Sequence, residues 1–71
     1  MIYMDIFVVR LKELRIESDL TQKQLAQIIG VSDDCVYQWE KGRSQPSIQI
    51  LRKICKTLDI SADYLIGVDT E

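Results

Sequence analysis

The chain has 71 residues, of which 46% are hydrophobic, and its 9 basic and 11 acidic side chains give a formal net charge of −2. This length and composition are typical of one globular domain with a marginal core, and they exclude a largely disordered chain. No apolar run is long enough to span a bilayer and no signal-peptide cleavage pattern follows a charged start, so we expect a cytoplasmic protein with no membrane partner. We predict a single domain over residues 1–71, with a core from about residue 6 to 67.

The few chemically reactive side chains argue against catalysis. The chain has two cysteines, Cys35 and Cys55, both within helical patterns, and no histidine. A zinc site needs more ligands than these, so we expect no metal or other cofactor, and two small apolar thiols rather than a redox pair. Neither cysteine has a recognisable base or glycine-rich loop beside it, so we do not expect an enzyme.

The charges are unevenly distributed along the chain. Five basic residues and no acidic one lie between residues 41 and 56, whereas four acids and no base follow from Asp59 onwards. The net charge argues against indiscriminate nucleic-acid binding, but this separation suggests that one face is offered to phosphate and another is kept away from it.

The first predicted helix runs from about Asp5 to Glu17, with apolar residues at helical spacing. The start of the chain, Met1 to Met4, together with Ile6, Val8 and Val9, is more apolar than one helix face can bury. This segment is expected to fold onto the domain or fray, and the alternative is a contact with a second subunit. No glycine ends this helix. The sequence leaves open whether Asp19, which follows it, adopts the left-handed conformation at a modest energetic cost or avoids that conformation.

The next two helices are predicted over Gln22–Ile29 and Asp33–Lys41. Thr21 and Gln24 form a capping-box pattern, Gly30 allows a left-handed helix end, and Ser32 is the expected cap of the second of these helices. Small Ala26 permits close approach, and Val36 and Trp39 lie three residues apart on an inner face. Two short helices joined in this way predict a helix-turn-helix, whose second helix can enter a DNA major groove.

Two further helices complete the expected fold. A loop over residues 42–46 ends at the only proline, Pro46, and Ser47 is the expected cap of a helix over Ile48–Leu58. Ser61 should cap a short last helix ending near Ile66. No stretch alternates with period two for long, so we predict an all-α fold of five helices without a sheet.

Several segments together resemble a known family. They are RLKELR (Arg10–Arg15), LTQKQLAQIIGVS (Leu20–Ser32), WEKGRSQPS (Trp39–Ser47), LRKICKTLDIS (Leu51–Ser61) and DYLIG (Asp63–Gly67). Residues 6 to 67 resemble the helix-turn-helix regulators of the lambdoid phage repressor and Cro type, also called the xenobiotic-response-element family. The resemblance implies a compact, lambda-repressor-like five-helix bundle. It also implies a homodimer that binds double-stranded DNA at a two-fold operator and, as its usual output, controls transcription. We expect the control to be repression, and we expect no small-molecule ligand.

The same resemblance assigns roles to particular residues. The base-reading group comprises Asp33, Asp34 and Gln38, with Tyr37 beside them, although Tyr37 could also lie flat on the core edge or point its hydroxyl at a phosphate. The group expected to contact phosphates comprises Gln22, Lys41, Arg43, Ser44 and Gln45. Arg15 and Glu40 match a buried ion pair, for which the alternative is an exposed contact of little value. The dimer contacts are expected from the region of the last two helices, at Ile60, Tyr64 and Ile66.

The two adjacent aspartates depart from the family pattern at the start of the predicted base-reading helix, where the specificity for DNA sequence is set. Asp33 and Asp34 could simply favour the positive end of a helix, at about 0.3–1 kcal/mol each. A carboxylate in the major groove could instead accept a hydrogen bond from cytosine N4, and Gln38 could pair with adenine, each with about 1–3 kcal/mol of discrimination. Carboxylates near phosphate should in either case weaken non-specific binding.

A second hypothesis comes from a different functional class. The chain could be a protein-interaction module, such as an antitoxin-like or anti-repressor partner, that keeps the fold but binds DNA weakly. Its support is the pair of aspartates, the isoelectric point near 5.0 and the apolar amino terminus. Enrichment of a DNA motif would separate the two hypotheses.

Overall fold

Residues 5–69 are described by the computed structural model and form five α-helices. These are α1 (Ile6–Glu17), α2 (Gln22–Ile29), α3 (Cys35–Glu40), α4 (Ile48–Leu58) and α5 (Ala62–Ile66). No strand occurs within residues 5–69, so the prediction of an all-α, five-helix fold is confirmed. The apolar segment Met1 to Met4 lies outside the described residues, while Ile6, Val8 and Val9 are half-buried along α1.

Four of the five helices begin with a side-chain cap, which satisfies amide groups that have no partner inside the helix. Asp5 Oδ1 accepts from the Phe7 amide at 2.9 Å. The predicted capping box of α2 is present: the Gln24 amide donates to Thr21 Oγ1 at 3.0 Å, and the Thr21 amide donates to Gln24 Oε1 at 2.9 Å. Ser47 caps α4 and Ser61 caps α5, as predicted.

Helix α3 begins two residues later than predicted, at Cys35 instead of Asp33. Asp33 and Asp34 form a turn, and the Cys35 amide donates to the backbone carbonyl of Ser32 at 3.0 Å. The prediction that Ser32 caps this helix was wrong. Ser32 Oγ lies 3.1 Å from Cys35 Sγ and accepts no hydrogen bond from a backbone amide of α3. Asp34 occupies the cap position with helical backbone angles and no side-chain capping bond, since capping by a side chain needs an extended backbone at that residue.

Two helices end at an aspartate in the left-handed region instead of at a glycine. Asp19, after α1, has φ 58°, and Asp59, after α4, has φ 56°. Aspartate tolerates this conformation better than most residues because its short polar side chain can bond locally. The Asp19 conformation is one of the two that the sequence left open, whereas the Asp59 conformation was not anticipated.

The core lies where α1 contacts α3 and α5 while α2 contacts α3 and α4. Ala26 is fully buried, and its methyl side chain lets α2 approach its neighbours closely. Trp39 is 4% exposed and belongs to the same core. The other buried apolar residues are Phe7, Leu11, Leu25, Ile29, Val36, Ile54, Leu58 and Leu65. This core holds α2 and α3 in a fixed relation to each other.

Gly67→Ala is expected to destabilise the fold more than Gly30→Ala. Both glycines have positive φ, 83° and 90°, which costs about 1–2 kcal/mol for an alanine. A Cβ on Gly67 would also lie 2.9 Å from Ile6 Cγ2 and 3.1 Å from Ile6 Cβ, whereas one on Gly30 meets nothing within 4 Å. Overpacking of this kind adds about 1–3 kcal/mol. Urea denaturation of the two variants measures the difference, and equal losses would show that Ile6 moves aside freely.

Candidate nucleic-acid interface

The turn between α2 and α3 sets the direction of α3. Gly30 takes φ 90°, and the amides of Gly30 and Val31 both donate to the carbonyl of Ala26, at 2.9 and 3.0 Å. Helix α3 then buries Val36 and Trp39 against the core. One side of α3 is therefore buried in the core, and the other side faces outwards.

The outward side of α3 and the turn before it carry the residues that were expected to read bases. Asp33 and Asp34 are exposed, Tyr37 is 37% exposed, and Gln38 is half-buried. None of these four side chains lies in the core, so their polar atoms are available to a ligand that approaches α3 from outside. Carboxylate and amide groups at such positions match the hydrogen-bonding edges of bases in a major groove.

Asp33 is not an isolated carboxylate. Its Oδ2 lies 3.9 Å from Nζ of Lys23 in α2, and the two side chains are 57% and 68% exposed. A pair this exposed is worth little energetically and leaves both groups free to exchange partners. Lys23 was missed by sequence reasoning, although its position directly after Gln22 in the first turn of α2 was an available signal.

The candidate phosphate-contacting residues after α3 lie in a loop with a fixed backbone. The Gly42 amide donates to the Trp39 carbonyl and the Arg43 amide donates to the Gln38 carbonyl, both at 3.0 Å, and Gly42 has φ 70°. These are the two bonds of a Schellman motif, which closes a helix end and satisfies its carbonyls. Lys41, Arg43, Ser44 and Gln45 all have exposed side chains.

An ion pair links α1 to α3 beneath this surface. Arg15 Nε donates to Glu40 Oε2 at 2.7 Å and Arg15 Nη2 donates to Glu40 Oε1 at 3.2 Å, with side chains 11% and 4% exposed. Arg15 Nη1 also donates to the Leu20 carbonyl at 2.8 Å. This is the two-bond fork geometry that arginine and a carboxylate favour, in the buried setting that the resemblance implied.

Gln22 joins the same network from the first turn of α2. Its Nε2 donates to Glu40 Oε1 at 3.0 Å. The side-chain amide expected to contact a phosphate is therefore oriented by a carboxylate of α3, which is itself held by Arg15. Helices α1, α2 and α3 meet at this network, which adds a polar link between α2 and α3 to the packing of the core.

The three expected dimer residues lie on the surface around α4 and α5. Ile60 is half-buried and lines an open groove of about 380 Å³ with Leu51 and Cys55. Ile66 is 44% exposed and lines a separate cleft of about 260 Å³. Tyr64 is 37% exposed, and its ring centroid lies 4.0 Å from Cζ of Arg10.

The two cysteines are free and half-buried. Burial raises the pKa of the Cys55 thiol above its ordinary value, so this group stays protonated and weakly nucleophilic at neutral pH. Within residues 5–69 no group of three or more His, Cys, Asp or Glu side chains is arranged to hold a metal ion. None of the helices in the same range is long and apolar enough to cross a bilayer.

Two short packed helices, with the second presenting polar side chains outwards, define a helix-turn-helix protein. A model of this family matches residues 11–65. The chain belongs to the helix-turn-helix family, which includes DNA-binding transcription regulators, and the proteins that it resembles are regulators and an antitoxin, not enzymes.

Two relatives illustrate the range of this similarity. The transcriptional activator BcrR of Enterococcus faecalis is 35% identical over 58 residues, which are 82% of this chain and 28% of BcrR. The antitoxin PezA of Streptococcus pneumoniae is 34% identical over 59 residues, 83% of this chain and 37% of PezA. The chain thus spans only about a third of the length of these two relatives.

The c2 repressor of Salmonella phage P22, crystallised with a synthetic operator, gives a structural comparison. It matches this fold with a TM-score of 0.82 at 28% sequence identity, over 89% of this chain and 96% of that chain. The resemblance to phage repressors and the lambda-repressor-like fold are therefore confirmed.

Proposed function

We propose that this protein binds a specific sequence of double-stranded DNA as a homodimer and acts in the cytoplasm as a transcriptional repressor. One observation carries the proposal: α3 turns its polar side outwards directly beside the exposed cations of the following loop. The polar side supplies hydrogen-bonding groups for base edges, and the cations supply attraction to the phosphate backbone. Phosphate contacts set the position on the duplex and base contacts set the sequence.

In this proposal each group has a distinct task. Gln38 pairs with an adenine through its side-chain amide, and Asp33 or Asp34 accepts from cytosine N4. Gln22 and the first amides of α2 face one backbone phosphate, since an eight-residue helix presents unpaired N–H groups at its start. The phosphate contacts on the other side of α3 come from Lys41, Arg43, Ser44 and Gln45.

A homodimer supplies the area that one copy lacks. A single small module buries limited DNA surface, and two copies that read half-sites about 34–36 Å apart double it. We assign the contact between copies to the surface around α4 and α5 that includes Ile60, Tyr64 and Ile66. The exposure of Tyr64 and Ile66, together with the open groove beside Ile60, supports this assignment.

Motif enrichment tests the function directly. The purified chain is mixed with fragmented genomic DNA at a stated salt concentration, and the bound fragments are sequenced. We expect one enriched motif with two-fold symmetry and a spacing of about one helical turn between half-sites. Binding without any enriched motif, or no binding at all, would contradict the proposal.

Gln38→Ala is expected to change which sequence is preferred. Loss of a paired base contact should remove about 1–3 kcal/mol of discrimination at one position of each half-site. Repeating the enrichment with the variant measures this, and binding to an unrelated duplex should stay within about twofold because Gln38 carries no charge. An unchanged motif would remove Gln38 from the base-reading group.

The second candidate is a protein-interaction module of the same fold. Similarity to the antitoxin PezA and the exposed acidic pair at the start of α3 favour it. A module of this kind would enrich no DNA motif and would retain a single co-purifying protein partner after nuclease treatment. The enrichment experiment therefore separates the two candidates in one measurement.

A further inference from the structure

We infer that Tyr37 is a positioning residue, whose ring holds the two cations that follow α3 ready for phosphate, and not a base-reading residue. This inference rests on the proposed DNA-binding function and assigns Tyr37 a part in it. It differs from the prediction that Tyr37 belongs with the base-reading residues of α3.

The geometry around the ring carries the inference. Lys41 Nζ lies 5.6 Å from the centroid of the Tyr37 ring, and Arg43 Cζ lies 5.8 Å from it. Both distances fall within the range of about 6 Å over which a cation is attracted to an aromatic face. One exposed aromatic side chain therefore contacts both basic residues of the loop.

The backbone makes this arrangement reproducible. Helix α3 ends at Glu40, and the Schellman bonds from Gly42 and Arg43 fix the path of the chain through the loop. Lys41 and Arg43 are consequently brought back to the same ring, four and six residues after it. Their flexible stems would otherwise sample many rotamers, and restricting them before binding reduces the ordering cost of a phosphate contact.

The same contacts make Tyr37 a poor base reader. To reach a base edge the ring would have to leave both cations, which are the groups best placed to contact the backbone. A ring that stays between α3 and the loop can support phosphate contacts while Gln38 and the aspartates face the bases. Its effect should then be independent of DNA sequence.

Tyr37→Phe and Tyr37→Leu separate the ring from the hydroxyl. Both are measured on the selected duplex and on an unrelated duplex over a series of salt concentrations. Tyr37→Phe should bind within about twofold of the natural chain, whereas Tyr37→Leu should bind both duplexes roughly three- to tenfold more weakly, because two exposed cation–ring contacts are lost. Tyr37→Leu should still enrich the same motif. Tyr37 is 37% exposed, so both variants should fold, as circular dichroism would verify.

Each alternative has its own signature. A Tyr37→Phe loss as large as that of Tyr37→Leu would assign the role to the hydroxyl, and a changed motif would make Tyr37 a base reader; either result overturns the inference. Unchanged binding of Tyr37→Leu would overturn it as well.

A measurement without DNA keeps this test separate from the proposed function. In the natural chain, the side-chain protons of Lys41 and Arg43 should show upfield ring-current shifts in NMR spectra, and Tyr37→Leu should abolish them. Absence of these shifts in the natural chain overturns the inference whatever the DNA result. Failure of the natural chain to bind any duplex, with the shifts present, contradicts the DNA-binding function and with it the role of the ring on phosphate.

Discussion

Arg15→Met is expected to destabilise the fold by about 3–5 kcal/mol, because it leaves the carboxylate of Glu40 buried without its positive partner. Glu40 is 4% exposed and would keep one hydrogen bond, from Gln22 Nε2 at 3.0 Å. Small domains have only about 0.05–0.15 kcal/mol of stability per residue, so this loss approaches the total stability of 71 residues. Urea denaturation followed by circular dichroism measures the change in midpoint at constant slope.

Two companion variants make this test specific. Lys23→Met removes one partner of an exposed ion pair, with 3.9 Å between Lys23 Nζ and Asp33 Oδ2, and should change the free energy of unfolding by less than about 1 kcal/mol. The double variant Arg15→Met with Glu40→Met should recover most of the lost stability, because an apolar pair can replace a buried ionic one. If Arg15→Met cost no more than Lys23→Met, the buried pair would have no special part in holding α1 to α3.

Local sequence rules predicted best the helices whose first residues are unambiguous. Helix α2 has a capping box at Thr21 and a glycine directly after Ile29, and its predicted bounds are those of the structure. Helix α4 follows a proline and a serine, and its bounds were also predicted. In both cases the residues that begin the helix act through neighbours within four positions, as does the glycine that ends α2, and a sequence pattern can show such local signals.

The same rules failed where several residues could do the same task. Ser32, Asp33 and Asp34 are consecutive and each can cap a helix, so the pattern does not say which one does. The first residue of α3 is set by the turn after Gly30 and by the burial of Val36. Both of these depend on how α3 packs against the core. The left-handed Asp59 is a similar case, since nothing beside it in the sequence marks a helix end as a glycine would.

Contacts in the candidate interface were beyond local reasoning for another reason. Arg15 and Glu40 are 25 positions apart, so only the family resemblance could join them. The contacts of Tyr37 with Lys41 and Arg43 involve exposed side chains, whose rotamers depend on the backbone of the loop rather than on residue type. The sequence therefore predicted which residues belong to the candidate interface, but not which of them contact one another.

Lys41→Ala with Arg43→Ala is expected to weaken binding to every duplex by roughly ten- to fiftyfold near 0.15 M salt. Each cation that contacts a phosphate releases about 0.9 counterion, so the loss of two contacts should lower the slope of log affinity against log salt by about 2. The enriched motif should stay the same, because neither residue is assigned to a base. Fluorescence anisotropy of a labelled duplex, titrated at four or more salt concentrations, measures the affinity and the slope together.

A matched pair of cations elsewhere separates local contact from total charge. Lys12 in α1 and Lys53 in α4 are both exposed, and neither is among the residues assigned to phosphate contacts. Lys12→Ala with Lys53→Ala also removes two positive charges from a chain of net charge −2. An effect of total charge acting at long range would therefore weaken DNA binding equally in both double variants. We expect the control to lose less than about threefold with its salt slope nearly unchanged, because screening acts over about 8 Å at physiological salt. Equal losses in the two double variants would mean that the loop after α3 makes no phosphate contact of its own.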